Sequence, residues 1–223
     1  MLEDGRTVLA HYTCIGNTKE GIREDVERMM GYGIENIMGL RGDFPEGWET
    51  TQGDFAHASD LIRFLKENFP DLCIGGGCYP EKHLQAGTLE EDIANLKKKV
   101  DAGTDFLISQ LCYDVDGFSR FMDGIAKAGI FVDVAMGIMP VLNKDAVIRM
   151  TLSNGCSIPA DLACLMGRFP DDPVSFKKAG KEYTAELVQR YQAAGVKSLH
   201  FYTMNRYKDL SEIIDMSGIC QED

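Results

Sequence analysis

Polar side chains recur at the ends of short apolar runs: His11 and Thr13, Arg41 and Asp43, Tyr79 and Glu81, Gln110 and Asp114, Asn205 and Arg206. Imidazole, guanidinium, carboxylate and carboxamide groups set at such ends are the kinds that orient and polarise a small molecule. In parallel α/β folds the C-terminal ends of the strands carry the chemistry, in closed barrels and in open doubly wound sheets alike. A second pattern lies in DIANLKKK, where Asp92, Asn95 and Lys99 recur at i, i+3 and i+7 and share one helix face. That face reads either as a solvated exterior or as a lining along an extended ligand. No metal is indicated. The seven cysteines (Cys14, Cys73, Cys78, Cys112, Cys156, Cys164 and Cys220) contain no CxxC pair, and His11, His57, His83 and His200 are as dispersed. Reduced, mostly buried thiols are expected.

The elements that must position these groups alternate in type. TVLAHYTC precedes KEGIREDVERMMGYG, where Ile22, Val26, Met29 and Met30 fall on one helical face and Gly31 or Gly33 can end the helix. ENIMGL precedes the loop RGDFPEGWETTQGDF and a helix from about His57 to Asn68. DLCIGGGCY precedes TLEEDIANLKKKVDAG, whose Thr88 and Glu91 have capping-box spacing. FLISQLCY, FVDVAMGIMPV and SLHFYTMN each precede a further helix, and an extra helical insert follows Gly155. About six strand–helix units in strict alternation predict a parallel sheet with helical crossovers. Because no GxGxxG or GxxxxGK[ST] opens a helix, a (β/α)8 TIM barrel is favoured over a doubly wound sheet. Gly75, Gly76 and Gly77 lie inside a strand and predict close backbone approach, either to a neighbouring strand or to a flat ligand.

Composition bounds the partners. The 223 residues carry 23 Lys and Arg against 35 Asp and Glu, a net charge of −12, with no basic block. Nucleic-acid binding, which depends on clustered positive charge, is not expected. The apolar stretches are short and interrupted, and the start MLEDGRTVLA is acidic, so no membrane span or signal peptide is expected and the chain reads as cytoplasmic. No linker or low-complexity tract divides residues 1–223, which predicts a single domain.

The series HYTC, NIMGLRGDFPEG, ASDLI, CYPEKH, DIANLKKKVDAG, FLISQ, GIMPV and HFYTMNR resembles the methylenetetrahydrofolate reductase family in order and spacing, from about His11 to Gly218. That resemblance implies a (β/α)8 barrel, bound FAD, NADH or NADPH as electron donor, and reduction of 5,10-methylenetetrahydrofolate to 5-methyltetrahydrofolate. It assigns flavin contacts to His11, Arg41, Gly42, Asp43, His57, Ala58, Tyr79, His83, Asp92, Asn95, Lys98 and Lys99. Lys98 stands where arginine is common, keeping charge but losing the planar fork, and His57 stands where tyrosine is common. Met136 replaces a usual proline.

By the same resemblance Asp43 is the catalytic residue. Opening the methylene bridge of the folate yields a 5-iminium cation, and a fixed carboxylate near the pterin stabilises that charge as hydride arrives. Gln110 matches a glutamine that hydrogen-bonds the pterin, and Arg206 an arginine assigned to substrate.

Family members usually open with a strand bearing a glutamate, in a motif like EFFPP, that acts as general acid; nothing in this chain matches it. Only about six of eight barrel units are expected here, against about 250 residues for a typical closed barrel. Three explanations stand: a truncated chain, first strands supplied by another copy or a separate polypeptide, or a flavin- or folate-binding barrel module without turnover. A homo-oligomer or a partner chain fits the exposed edges. Without the acid, the folate half-reaction is expected to lose about 10²–10⁴-fold.

Overall fold

The computed structural model describes residues 4–219, so Cys220 lies outside the described residues. Six strands form one sheet in chain order, β1 (Leu9–Thr13), β2 (Asn36–Leu40), β3 (Cys73–Cys78), β4 (Phe106–Ser109), β5 (Asp133–Ile138) and β6 (Ser198–Phe201). The pairings of β1 with β2, β2 with β3 and β5 with β6 are parallel. A helix follows each strand: α1 (Lys19–Gly31), α2 (Ala58–Asn68), α3 (Leu89–Asp101), α4 (Val115–Lys127), α5 (Lys144–Asn154) and, after β6, α8 (Tyr207–Ser217). The insert supplies α6 (Ala160–Arg168) and α7 (Pro173–Ala193). This is the β–α alternation of a (β/α)8 fold.

The chain divides into two compact units. The first comprises, of the described residues, 4–78, 93–108 and 128–133. Its core is built by α1 and α2 against β2 and β3, with Ile22, Val26, Ile37, Leu61, Ile62 and Ile74 each fully buried. Removing such side chains from water supplies about 1.5–3 kcal/mol each. Met29 packs against this cluster, but Met30 is exposed, because it lies at the margin of the stripe set by Ile22 and Val26. Gly31 closes α1, and Gly33 follows with φ +86°. The helix starts are fixed by side chains: Thr18 Oγ1 accepts from the Gly21 N–H at 3.2 Å, and Asp60 accepts from the N–H groups of Ala56 and His57 at 3.1 and 2.9 Å. Lys66 pairs with Asp105 at 2.6 Å, and the same carboxylate accepts the Ile74 N–H at 2.7 Å, tying α2 to the strand region.

The glycines of β3 are needed for close packing of side chains. A Cβ on Gly75 would stand 2.7 Å from the Phe106 ring, and one on Gly76 would stand 3.0 Å from Lys99 Cδ and 3.1 Å from Thr104 Cγ2. The expected close approach is therefore present, but it is made by side chains from β4, α3 and the turn between them, over the sheet.

The second unit comprises 79–92, 109–127 and, of the described residues, 134–219. Here α7 packs on the segment after β5 so tightly that a Cβ on Gly180 would lie 1.8 Å from the Val141 carbonyl oxygen. Thr184 Oγ1 accepts the Val141 N–H at 3.0 Å and donates to the Gly180 carbonyl at 2.7 Å, so the contact leaves no polar group unmet. Buried tyrosines hold the strand ends: Tyr113 donates to the Met139 carbonyl at 2.9 Å and Tyr191 to the Cys112 carbonyl at 3.0 Å. Lys177 and Lys181 both pair with Asp209, at 2.8 and 2.7 Å, joining α7 to α8. Met136 sits buried in a regular β5, paired with Leu199 of β6.

Candidate functional site

In the first unit the expected residues stand on β1, in the loop after β2, at the start of α2 and on α3. His11 is exposed on β1, in register with Met38 of β2, and Arg41, Gly42 and Asp43 follow β2 directly. Backbone geometry sets the direction of this loop. Gly42 has φ +89°, a conformation that side chains with a Cβ rarely adopt, and a Cβ there would meet Ile15 Cγ2 at 2.7 Å. The Ile15 N–H donates to the Arg41 carbonyl at 2.9 Å. The Arg41 guanidinium donates to the Gly42 carbonyl at 3.1 Å and lies 4.5 Å from the centre of the Phe44 ring. Asp43 is exposed, as is His57 just ahead of α2, while Ala58 is half-buried.

Helix α3 supplies the next group. Lys99 donates to the carbonyl of Gly77 near the end of β3, so its ammonium is drawn to the functional end of that strand. Lys98 is exposed and donates to Asn95 Oδ1 at 2.9 Å. The helix start is half of the expected capping box: Thr88 Oγ1 accepts the Glu91 N–H at 3.2 Å, while the Glu91 carboxylate takes the Gly87 N–H at 2.8 Å rather than that of Thr88.

In the second unit the expected residues do touch. The Tyr79 and His83 rings meet edge to face at 4.7 Å, and Asp92, buried near the start of α3, accepts the His83 N–H at 3.1 Å. His83 Nδ1 accepts from the Gln85 N–H at 3.1 Å, so the neutral ring carries its hydrogen on Nε2. Tyr79, His83 and Asp92 thus form one cluster around the YPEKH turn, whose Lys82 has φ +73° and donates to the Ala86 carbonyl at 2.9 Å.

Gln110 leaves the end of β4 held at both amide atoms: its Nε2 donates to Asn154 Oδ1 at 2.9 Å, and its Oε1 accepts the Leu111 N–H at 2.9 Å. A shallow surface cleft lies here, lined among others by Tyr79, Glu81, Lys82, Gln110, Asn154 and Cys156. Glu81 accepts the Ser157 N–H through both oxygens, at 3.1 and 3.0 Å. Burial pushes the thiols of Cys112 and Cys156 up to about 12, so neither is a nucleophile near neutral pH. Arg206 is exposed ahead of α8, after Met204 and Asn205 at φ 48° and 61°. Two residues with left-handed backbone in succession turn the chain sharply there and set where Arg206 begins. Asn154, which engages Gln110 from 44 residues away, carries no sequence signal beyond a polar residue before the helix-ending Gly155.

The donor set suits an extended anionic cofactor. In the first unit Arg41, Lys98 and Lys99 supply positive charge in a chain of net charge −12, and His11 supplies imidazole. Cationic side chains of this kind answer a pyrophosphate.

The methylenetetrahydrofolate reductase family profile matches residues 3–218. The chain is 36% identical over 215 residues to methylenetetrahydrofolate reductase 1 of Schizosaccharomyces pombe, covering 95% of this chain and 36% of that protein. It is 36% identical over 202 residues to 5,10-methylenetetrahydrofolate reductase of Escherichia coli, covering 91% of this chain and 67% of that one. The chain therefore spans about a third of the fission yeast relative. Among solved structures, a Clostridium thermocellum protein described as binding two copies of 5-methyl-5,6,7,8-tetrahydrofolic acid shares the fold, with a TM-score of 0.55, 16% identity, and coverage of 94% of this chain and 70% of that one.

Proposed function

The chain belongs to the methylenetetrahydrofolate reductase family, and from that premise we propose that it reduces 5,10-methylenetetrahydrofolate to 5-methyltetrahydrofolate, with FAD as cofactor and NADH or NADPH as donor. FAD, when bound, supplies the hydride. The supporting observation is that Arg41, Gly42, Asp43, Tyr79 and Gln110, among the residues matched to the family's site, follow directly on the C-terminal ends of β2, β3 and β4, where folds of this class do their chemistry. Arg41, Lys98 and Lys99 bind the cofactor's anionic part, and Tyr79, His83 and Asp92 form a preassembled cluster that supplies further cofactor contacts.

Asp43 is the catalytic residue of this reading. Exposed after β2 and oriented by the positive φ of Gly42, its carboxylate stabilises the cation that develops as the methylene bridge opens. Gln110 holds the pterin with the donor and acceptor of its amide, and Arg206 binds the substrate's acidic portion. The sequence holds no glutamate in an EFFPP-like motif, so no residue of this chain is assigned to protonating the folate. Oxidation of NADH with a quinone acceptor requires no such proton, and is expected to exceed folate reduction when the 223-residue chain is assayed alone. A cytoplasmic setting belongs to the same reading; the six cysteines among the described residues form no disulfide. No helix among those residues is long and apolar enough to cross a membrane.

The test is product analysis. Protein supplied with FAD, NADH and 5,10-methylenetetrahydrofolate yields 5-methyltetrahydrofolate on this reading. NADH–quinone turnover without folate product, persisting when the chain is joined to an EFFPP-bearing segment, contradicts it.

A further inference from the structure

We propose that Asn154 is a positioning residue for substrate recognition, fixing the sense in which the Gln110 amide faces its ligand. This rests on the reading of Gln110 as the pterin-binding group. The argument follows a continuous chain of hydrogen bonds across three elements. The Leu111 N–H donates to Gln110 Oε1 at 2.9 Å, Gln110 Nε2 donates to Asn154 Oδ1 at 2.9 Å, and Asn154 Nδ2 donates to the Met150 carbonyl at 2.8 Å.

Both ends of this chain are backbone groups, and a backbone N–H donates only while a carbonyl accepts only. The Met150 carbonyl therefore forces the amide nitrogen of Asn154 toward it, which turns Asn154 Oδ1 toward Gln110. The Leu111 N–H forces Gln110 Oε1 toward it, which turns Nε2 toward Asn154. Either amide flipped alone would set two donors or two acceptors against each other. Neither can reverse without leaving a backbone group opposed. Links arranged head to tail also polarise one another in the same direction.

Each amide group has more capacity than this chain uses: Gln110 retains one N–H on Nε2 and one lone pair on Oε1. One donor and one acceptor thus remain on an amide whose sense is fixed, the complement of a ligand edge that bears an acceptor and a donor, as a pterin's ring-amide edge does. Gln110 and Asn154 both line one shallow surface cleft, so the amide that the chain fixes stands at an accessible edge. Leu111 and Asn154 thus hold the glutamine before substrate arrives, and a glutamine free to rotate would present the wrong order in part of its population.

The experiment is calorimetric binding of 5-methyltetrahydrofolate to the full chain and to Asn154→Leu, Asn154→Thr, Asn154→Asp, Gln110→Ala and the double variant Gln110→Ala with Asn154→Leu, with thermal melts to establish folding. Asn154→Leu and Asn154→Thr, which lose the acceptor or its reach, weaken binding about tenfold, in line with one lost hydrogen bond. Asn154→Asp keeps an oxygen for Gln110 Nε2 but sets its other oxygen against the Met150 carbonyl, so it recovers part of that loss. The double variant binds no more weakly than Gln110→Ala. A weakened Gln110→Ala beside an unchanged Asn154→Leu, or losses that add in full, overturns the inference alone. Unchanged binding in Gln110→Ala overturns the pterin reading of that glutamine, and the inference with it.

Discussion

The two units hold their polar residues in different ways. In the first, His11, Asp43 and His57 are exposed and their placement comes from backbone: a strand register, a positive φ at Gly42 and a helix start. In the second, side chains hold side chains, Tyr79 against His83 and Asn154 on Gln110, while Asp92 takes the His83 backbone N–H. A residue that must stabilise charge appearing only during reaction gains from an accessible, backbone-fixed position. Residues that must recognise a ligand's hydrogen-bond pattern gain from being ordered beforehand, because each immobilised side chain otherwise costs about 0.5–1.5 kcal/mol on binding.

The sharpest break of this contrast is Asp43→Asn. Folate reduction is expected to fall about 10²–10³-fold while the melting temperature stays within a degree or so, since an exposed carboxylate contributes little to stability. Stopped-flow measurement of folate reduction and NADH oxidation separately checks this; equal loss in both would remove Asp43 from the folate step. Backbone closeness is probed by Gly180→Ala, whose Cβ would press on the Val141 carbonyl, and by Gly76→Ala, whose Cβ would meet the bendable stem of Lys99. The first should lose about 3 kcal/mol in denaturant unfolding and the second about 1 kcal/mol. Equal losses would show that the second unit yields as readily as the first.

A smaller effect is expected of Asp92→Ala. Removing the acceptor of the His83 N–H frees the YPEKH turn, and FAD affinity measured by fluorescence quenching should fall about tenfold with folding intact. The smallest effect concerns pH. Hydrogen bonds from Lys177, and then Lys181, hold the Asp209 carboxyl below the ordinary carboxylate range. A depressed folded value means that the pair's contribution is complete above the unfolded value of about 4 and is lost as pH falls through the folded one. Asp209→Asn should therefore flatten the acid limb of the stability curve below about pH 4; an unchanged limb would mean that other carboxylates govern it.

The alternation of elements was legible because each has a distinct period: β-branched runs for β1 to β6, and Ile22 with Val26 for α1. The helical insert after Gly155 was legible for the same reason. Met30 was misplaced on the buried face because a helical wheel gives direction but not the width of the groove that receives it. The roles of Gly75 and Gly76 depended on Phe106 and Lys99, which arrive from elements about 25–30 residues later and leave no local mark. The division into two units has no linker or shift of composition to betray it. At the site, Arg41, Asp43, Tyr79 and His83 stood out by motif. Asn154 did not, since an asparagine before glycine at a helix end reads as ordinary capping chemistry, and only folding brings it to Gln110.

The central claim, a flavin-dependent reductase of methylenetetrahydrofolate, is met most directly by the visible absorption spectrum of purified protein equilibrated with FAD, recorded anaerobically before and after NADH and again after 5,10-methylenetetrahydrofolate. The account predicts an oxidised flavin band retained through gel filtration, bleached by NADH and restored by the folate. Protein that emerges colourless, or a bleached band that a quinone restores and the folate does not even when the chain is joined to an EFFPP-bearing segment, would contradict it.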